Sequence, residues 1–260
     1  MDGTGESGRL WLRRFHPSAD ADVTVVCFPH AGGAASYFLP LSAALSGRAE
    51  VVSLQYPGRQ DRRFETPLTS AEELVSGITR ALRDCGDRPL VLFGHSMGGT
   101  LAFETARRLE AEGDGRLLGL IVSGREAPGP APRRTTHLRD DAGLLAGIRE
   151  LQGTHSALLD DEDVVRMIMP ALRADYTAVE TYAYREGPAL NCPLFVYTGD
   201  ADPQVSGREA ERWAEHTVSG FRVRTFAGGH FYLDGRRDEV TAALAEDLTA
   251  FGARSRPARR

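Results

Sequence analysis

The chain has 260 residues, 42% of them hydrophobic and 26% charged, enough to bury a single-domain core without disulfide staples. A formal charge of -5 and a pI near 5.8 leave a nucleic-acid role without an electrostatic footprint. No apolar run approaches the roughly 18–20 residues that cross a bilayer, and the Gly-rich acidic start has no apolar core of a secretory signal, so a cytoplasmic protein away from membranes is expected.

Short β-branched runs alternate with helical periodicity, the pattern of a parallel sheet built from βαβ units. In chain order the sequence predicts a possible antiparallel edge strand over Leu10–Arg14, then a strand over Val23–Phe28 and a helix over Ser36–Ser46. Strand Val51–Gln55 and helix Ser70–Cys85 follow, then strand Leu90–Phe93, helix Met97–Glu112 and strand Leu117–Ser123. The last units are strand Pro193–Thr198, helix Gly207–His216, strand Phe221–Phe226 and helix Arg237–Phe251. Three cysteines, an odd number, argue for reduced thiols, with Cys27 inside an apolar strand. All 31 basic residues are arginines, and the only basic run is the tail from Arg254 to Arg260, read as a frayed end.

The rhythm breaks once. About 70 residues separate Ser123 from Pro193, far more than a crossover needs. This insertion, about 125–190 within one domain spanning 1–260, opens on the Pro/Gly-rich link Ala127-Pro-Gly-Pro-Ala-Pro132. Helices are expected near Asp141–Leu151 and over Glu162–Arg185, the second bent at Pro170 and started by the acidic run Asp160–Asp163. Val165, Ile168, Leu172, Tyr176, Val179 and Ala183 make its apolar face. Such an insertion is either extra core or a lid. Its place just before the strand that carries a candidate catalytic acid favours a mobile lid over the site.

Leu90-Val-Leu-Phe93 runs directly into Gly94-His-Ser96-Met-Gly98-Gly99 and a helix-forming segment. This is G-x-S-x-G in its required strand–turn–helix context, where the turn is too sharp for Cβ atoms around a serine that must project above the sheet. A serine hydroxyl needs a base and an orienting acid. Gly228-Gly229-His230 follows the last strand and Gly199-Asp200-Ala-Asp202 the one before it, in the order Ser, Asp, His. Asp202 is preferred to Asp200, which directly follows its strand and suits a turn. His95 is read as a packing residue. Oxyanion donors are expected from the Met97 N–H and from the loop Phe28-Pro-His30-Ala31-Gly32-Gly33. The glycines of that loop lack dinucleotide-binding spacing, and no metal or nucleotide motif occurs, so neither a cofactor nor a metal is expected.

Taken with Tyr56-Pro-Gly-Arg59, Leu172-Arg-Ala-Asp-Tyr176, Gly199-Asp-Ala-Asp-Pro203 and Gly228-Gly-His-Phe231, these motifs resemble, from about Phe15 to Phe251, the type II thioesterases that accompany polyketide and nonribosomal peptide synthases. The resemblance implies an α/β-hydrolase fold, a mostly parallel sheet flanked by helices with a helical lid. It implies hydrolysis of acyl groups from the phosphopantetheine arm of acyl or peptidyl carrier proteins, clearing stalled units. Residue by residue it makes Ser96 the nucleophile, His230 the base, Asp202 its orienter, and the N–H groups of Ala31 and Met97 the oxyanion hole. Gly99 stands where many members have alanine. For Tyr56–Arg59 the resemblance brings no role; a turn is the simplest reading, with Arg59, Arg62 or Arg63 as candidates for steering an acidic carrier domain. Two other readings stay open: an esterase or lipase acting on free oxygen esters, and a non-catalytic docking partner of a synthase.

Overall fold

The computed structural model describes residues 4–129, 134–152 and 160–255. It has the α/β-hydrolase fold. Chain order among the described residues runs α1 (Thr4–Trp11), β1 (Leu12–Arg13), β2 (Thr24–Phe28), α2 (Leu39–Leu45), β3 (Glu50–Leu54), α3 (Ala71–Leu82), β4 (Leu90–His95) and α4 (Met97–Ala111). It continues with β5 (Leu117–Ser123), α5 (Asp141–Gln152), α6 (Glu162–Glu180), β6 (Leu194–Gly199), α7 (Gly207–Glu211), β7 (Phe221–Phe226), α8 (Tyr232–Gly235) and α9 (Arg237–Ser255). The seven strands lie in the order β1-β3-β2-β4-β5-β6-β7, all parallel except the edge strand β1, which runs antiparallel to β3.

Along β2 the side chains alternate: Val26 and Phe28 join the cluster holding Leu74, Ile78, Leu101 and Trp213, while Val25 and Cys27 join the one holding Phe38, Leu244 and Phe251. Helices α3, α4 and α7 thus cover one face, and α2 and α9 the other. A sheet covered on both sides has no solvated face, which is why these strands read as continuous apolar runs. The chain leaves β2 first towards β3 and then returns to β4 on its other side, so the loops after β2 and β4 diverge at their carboxyl ends. That crevice is where α/β sheets accept ligands.

Two expectations shift. The start of the predicted edge strand is helix α1, and only Leu12–Arg13 pairs with β3. Trp11 ends that helix and packs directly on Gly77 of α3, where a Cβ would collide with its indole. Burying one indole outweighs extending a two-residue edge. In the insertion, Asp161 caps α6 by accepting the N–H groups of Asp163 and Val164. The helix runs through Pro170 but stops at Glu180, not Arg185. Beyond it the Tyr182 hydroxyl donates to Glu104 (2.5 Å) and Arg107 donates to the Arg185 carbonyl (2.9 Å), so α4 claims the chain and Ala183 is exposed. Residues 130–133 of the Pro/Gly link and 256–260 of the basic tail lie outside the described residues. All three cysteines are free and buried.

Candidate active site

Ser96 sits between β4 and α4 with φ 55° and ψ -119°, a left-handed conformation that L side chains adopt at a cost of about 1–3 kcal/mol. The surroundings hold it there. A Cβ at Gly94 would collide with the Gly98 carbonyl, and one at Gly98 with the carbonyls of Phe28 and Pro29. The Ser96 N–H donates to the Ser123 carbonyl (2.8 Å), and the Ser96 carbonyl accepts from Gly99 (2.8 Å). The same close approach at Gly98 presses the loop after β2 against the elbow. Ala31 follows two residues after Pro29 on that loop, and the first amide of α4, that of Met97, has no intrahelical acceptor. At Gly99 a Cβ would sit 3.0 Å from a Val122 methyl, 3.1 Å from the Arg125 Cβ and 3.4 Å from the Gly94 carbonyl oxygen.

The loops after β6 and β7 close on each other because Gly199 has no Cβ to strike the Gly228 and Gly229 carbonyls. Asp200 spans them, accepting the Gly228 N–H (2.8 Å). This brings His230, fully buried, between two partners: its Nδ1 is 2.9 Å from Asp202 Oδ2, and its Nε2 2.9 Å from Ser96 Oγ. The other Asp202 oxygen accepts the Gln204 N–H (2.8 Å). An ionised carboxylate only accepts, so Nδ1 carries the proton and Nε2 is free to take one from the serine.

Two further imidazoles lie under this relay. His95 packs with its ring centroid 5.2 Å from that of His230, and its Nδ1 bonds Ser123 Oγ (2.9 Å), which in turn meets the Tyr232 hydroxyl (2.6 Å). It does not reach Ser96 and fits the packing role. His30 is held edge-on between Tyr37 and Phe231. Burial, then the nearby His230, pushes both imidazoles down, His30 to about 3. They stay neutral beside a histidine that must accept a proton.

Tyr56–Arg59, read from the sequence as a turn, and Gln55, at the end of the predicted strand, prove to be structural supports. Their side chains brace the loop after β2: Gln55 Oε1 accepts the Ala35 N–H (2.8 Å), and the Tyr56 hydroxyl donates to the Pro29 carbonyl (3.3 Å). Arg59 donates to Asp175 of α6 (2.7 Å), whose second oxygen accepts the Gly32 N–H (2.7 Å). The steering roles weighed for Arg59 and Arg62 do not fit, because both are buried. Arg62 pairs with Glu65 and lies over the Trp11 ring at 4.8 Å. Arg63 alone stands at the surface, over the exposed ring of Phe64 at 4.2 Å. No local signal announced the Arg59–Asp175 pair, whose members are 116 residues apart.

Helices α5 and α6 form their own apolar cluster of Leu144, Ile148, Met169 and Leu172, flanked by Val165, Ile168 and Tyr176. Leu172 also fills the space beside Gly32, where a Cβ would sit 2.7 Å from its Cδ1. The insertion therefore seats on the loop after β2. Val179 faces the main core instead and lines a cleft with Thr100, Phe103, Tyr182 and Trp213. Among the described residues no group of three or more His, Cys, Asp or Glu side chains is placed to hold a metal ion.

Residues 23–250 match the thioesterase domain family. The chain is 49% identical to the "Probable cadicidin biosynthesis thioesterase" of Streptomyces griseus over 94% of its own length and 67% of that protein's. It is 46% identical to thioesterase PikA5 of Streptomyces venezuelae, covering 92% of this chain and 85% of that one. The solved structure of the type II thioesterase BorB from the borrelidin biosynthetic cluster superposes with a TM-score of 0.87 at 48% identity, covering 92% of this chain and 98% of the other.

The buried imidazoles make the fold acid-sensitive. Below the ordinary histidine pKa of about 6.5 the unfolded chain takes up protons at His30 and His95 that the fold refuses, so stability falls as pH is lowered, by up to about 1.4 kcal/mol per pH unit for each group. Urea unfolding midpoints between pH 7 and pH 5 should drop in the native protein and drop less steeply in His95→Asn. Equal slopes would remove His95 from the effect.

Proposed function

The chain belongs to the thioesterase family, among its type II members, and from that premise we propose that it is a serine hydrolase that removes acyl groups from the phosphopantetheine arm of acyl or peptidyl carrier proteins, in the service of a polyketide or nonribosomal peptide synthase. The observation that carries this reading is the continuous Asp202–His230–Ser96 hydrogen-bond relay at the head of the elbow helix. Ser96 Oγ attacks the thioester carbonyl as His230 Nε2 takes its proton, and Asp202 holds the ring in the accepting tautomer. The oxyanion of the tetrahedral intermediate accepts the N–H groups of Ala31 and Met97. His230 returns the proton to the departing pantetheine sulfur, leaving an acyl-serine. A water that gives its proton to His230 then attacks this ester, and His230 passes that proton to Ser96 Oγ as the acid departs.

The enzyme needs no cofactor of its own in this scheme, since the phosphopantetheine arrives with the substrate. The likeness to BorB, and to a type II thioesterase from the yersiniabactin NRPS/PKS biosynthetic pathway, supports carrier proteins as partners. Among the described residues no helix is long and apolar enough to cross a membrane, which fits work beside a cytoplasmic synthase. Thr100, one helical turn beyond Ser96, lines the cleft at Val179, where Phe103, Tyr182 and Trp213 offer apolar surface to an acyl chain beside the charged Arg125, Glu126, Arg134 and Glu180.

Three outcomes follow. Ser96→Ala should lower turnover of an acyl-pantetheine thioester by at least about a thousandfold, and the native protein should favour that thioester over a matched oxygen ester. A native preference for the oxygen ester would make it an esterase, and a Ser96→Ala variant retaining a tenth of the activity would remove this serine from the chemistry. Asp202→Asn should cost at least about a hundredfold through loss of the tautomer. Asp200→Asn, which keeps an acceptor for Gly228, should cost less than about tenfold, and the reverse ranking would exchange the two acids. Val179→Trp should slow long acyl chains more than short ones on one carrier protein, each excluded methylene contributing about 1–3 kcal/mol of discrimination. A uniform loss across the series would place the acyl chain elsewhere.

A further inference from the structure

Resting on the triad reading above, we propose that Asp175 is a positioning residue for the oxyanion hole. From helix α6 its carboxylate holds the Ala31–Gly32 peptide in place, and Arg59 is the counter-ion that lets the charge be buried there. The Asp175 side chain is 1% exposed and that of Arg59 7%. The two carboxylate oxygens divide the work, Oδ1 meeting Arg59 Nη2 and Oδ2 the Gly32 N–H, each at 2.7 Å. Gly32 has φ +75°, open to glycine but strained for other residues, so the peptide preceding it needs an external hold. Leu172, three residues earlier on the same helix face, closes the other side of Gly32. The Ala31 N–H lies one peptide earlier, across the Ala31 Cα, so the hold on the Gly32 amide restrains the backbone that carries the oxyanion donor.

The ion pair is poorly arranged for stability alone. Among the described residues Arg59 Nε and Nη1 are buried with no hydrogen-bond partner; the guanidinium engages one of its three nitrogens in a hydrogen bond and otherwise lies over the Tyr56 ring, 5.0 Å from its centroid. Buried pairs of this kind are often matched or bettered by apolar replacements. Burial pushes the Asp175 carboxyl up, and Arg59 and the Gly32 N–H work against that shift. The insertion helix and the oxyanion loop therefore share one anchor, and α6 cannot leave its seat without withdrawing the acceptor from Gly32.

The test compares two double variants that both remove the buried charges: Arg59→Met with Asp175→Asn, which keeps an acceptor for Gly32, and Arg59→Met with Asp175→Leu, which does not. Kinetics use an acyl-pantetheine thioester and a p-nitrophenyl ester, and binding uses a trifluoromethyl ketone analogue, which becomes an oxyanion on Ser96, beside an unreactive amide analogue. Because loss of a whole oxyanion donor costs about 10²–10³ in kcat, the Leu pair should lose about 10–100-fold in kcat on both esters, and as much in ketone affinity. Its KM and amide affinity should stay within about twofold, and the Asn pair should keep kcat within about threefold. Equal kcat in the two pairs, or losses in KM and amide affinity that match those in kcat, would overturn the proposal. Should the Leu pair not fold, Asp175→Asn alone decides: it keeps the acceptor, and a loss of about a hundredfold in kcat with unchanged KM would overturn the hydrogen-bonding role. Labelling of native Ser96 by a fluorophosphonate reports on the triad reading separately. Failure there overturns both readings, whereas labelling with equal double variants overturns only the role of Asp175.

Discussion

Everything at the site depends on how closely helix α4 approaches the carboxyl ends of β2 and β4. The contact is backbone on backbone: Gly94 faces the Gly98 carbonyl, and Gly98 faces the carbonyls of Phe28 and Pro29, with no room for a side-chain atom. That approach forces Ser96 to φ 55°, and the strain is held by hydrogen bonds on both sides of the turn and by a core that covers both sheet faces. A left-handed serine at a strand–helix junction lifts its hydroxyl clear of the sheet and leaves the first helix amides pointing into the same space. One geometric constraint thus supplies both a presented hydroxyl and a helix start beside it.

The partners of the serine are delivered by a different device. Two loops from adjacent strands are tied to each other by Asp200 and by the bare backbone of Gly199, so that Asp202 and His230 arrive in register. Beneath them, His30 and His95 are kept neutral by burial. A charged imidazole 5.2 Å from His230 would oppose the proton transfer on which serine chemistry depends. The same aromatic floor that packs the site also protects its charge balance, at the expense of acid tolerance.

The third layer is the brace formed by Gln55, Tyr56 and Arg59 behind the loop after β2, completed by Asp175 from the insertion. It explains why a turn motif with no chemistry of its own accompanies the catalytic motifs. It also ties the insertion to that loop, because α6 carries the carboxylate that accepts the Gly32 N–H. A carboxylate serves this purpose better than a neutral acceptor, since its two oxygens engage a loop amide and a counter-ion at once.

By itself the sequence determined the period of every main strand and helix, because local apolar runs and 3.6-residue spacing are written in neighbouring residues; β5 and β7 span the expected residues. It also determined the elbow and the order Ser, Asp, His, since glycines around a serine at a strand–helix junction and an acid and a histidine after later strands are local signatures. The tertiary structure decided what depends on distant partners. Trp11 joined a helix because Gly77 offered its indole a seat, and α6 ended at Glu180 because α4 captured Tyr182 and Arg185. Asp202 faces His230 while Asp200 caps the neighbouring loop, a choice between two acids set by backbone path alone. Arg59, as eligible in sequence for the surface as Arg63, is buried because Asp175 waits 116 residues away. A charge enters a protein interior only where its counter-charge is already placed, and that placement is a property of the fold.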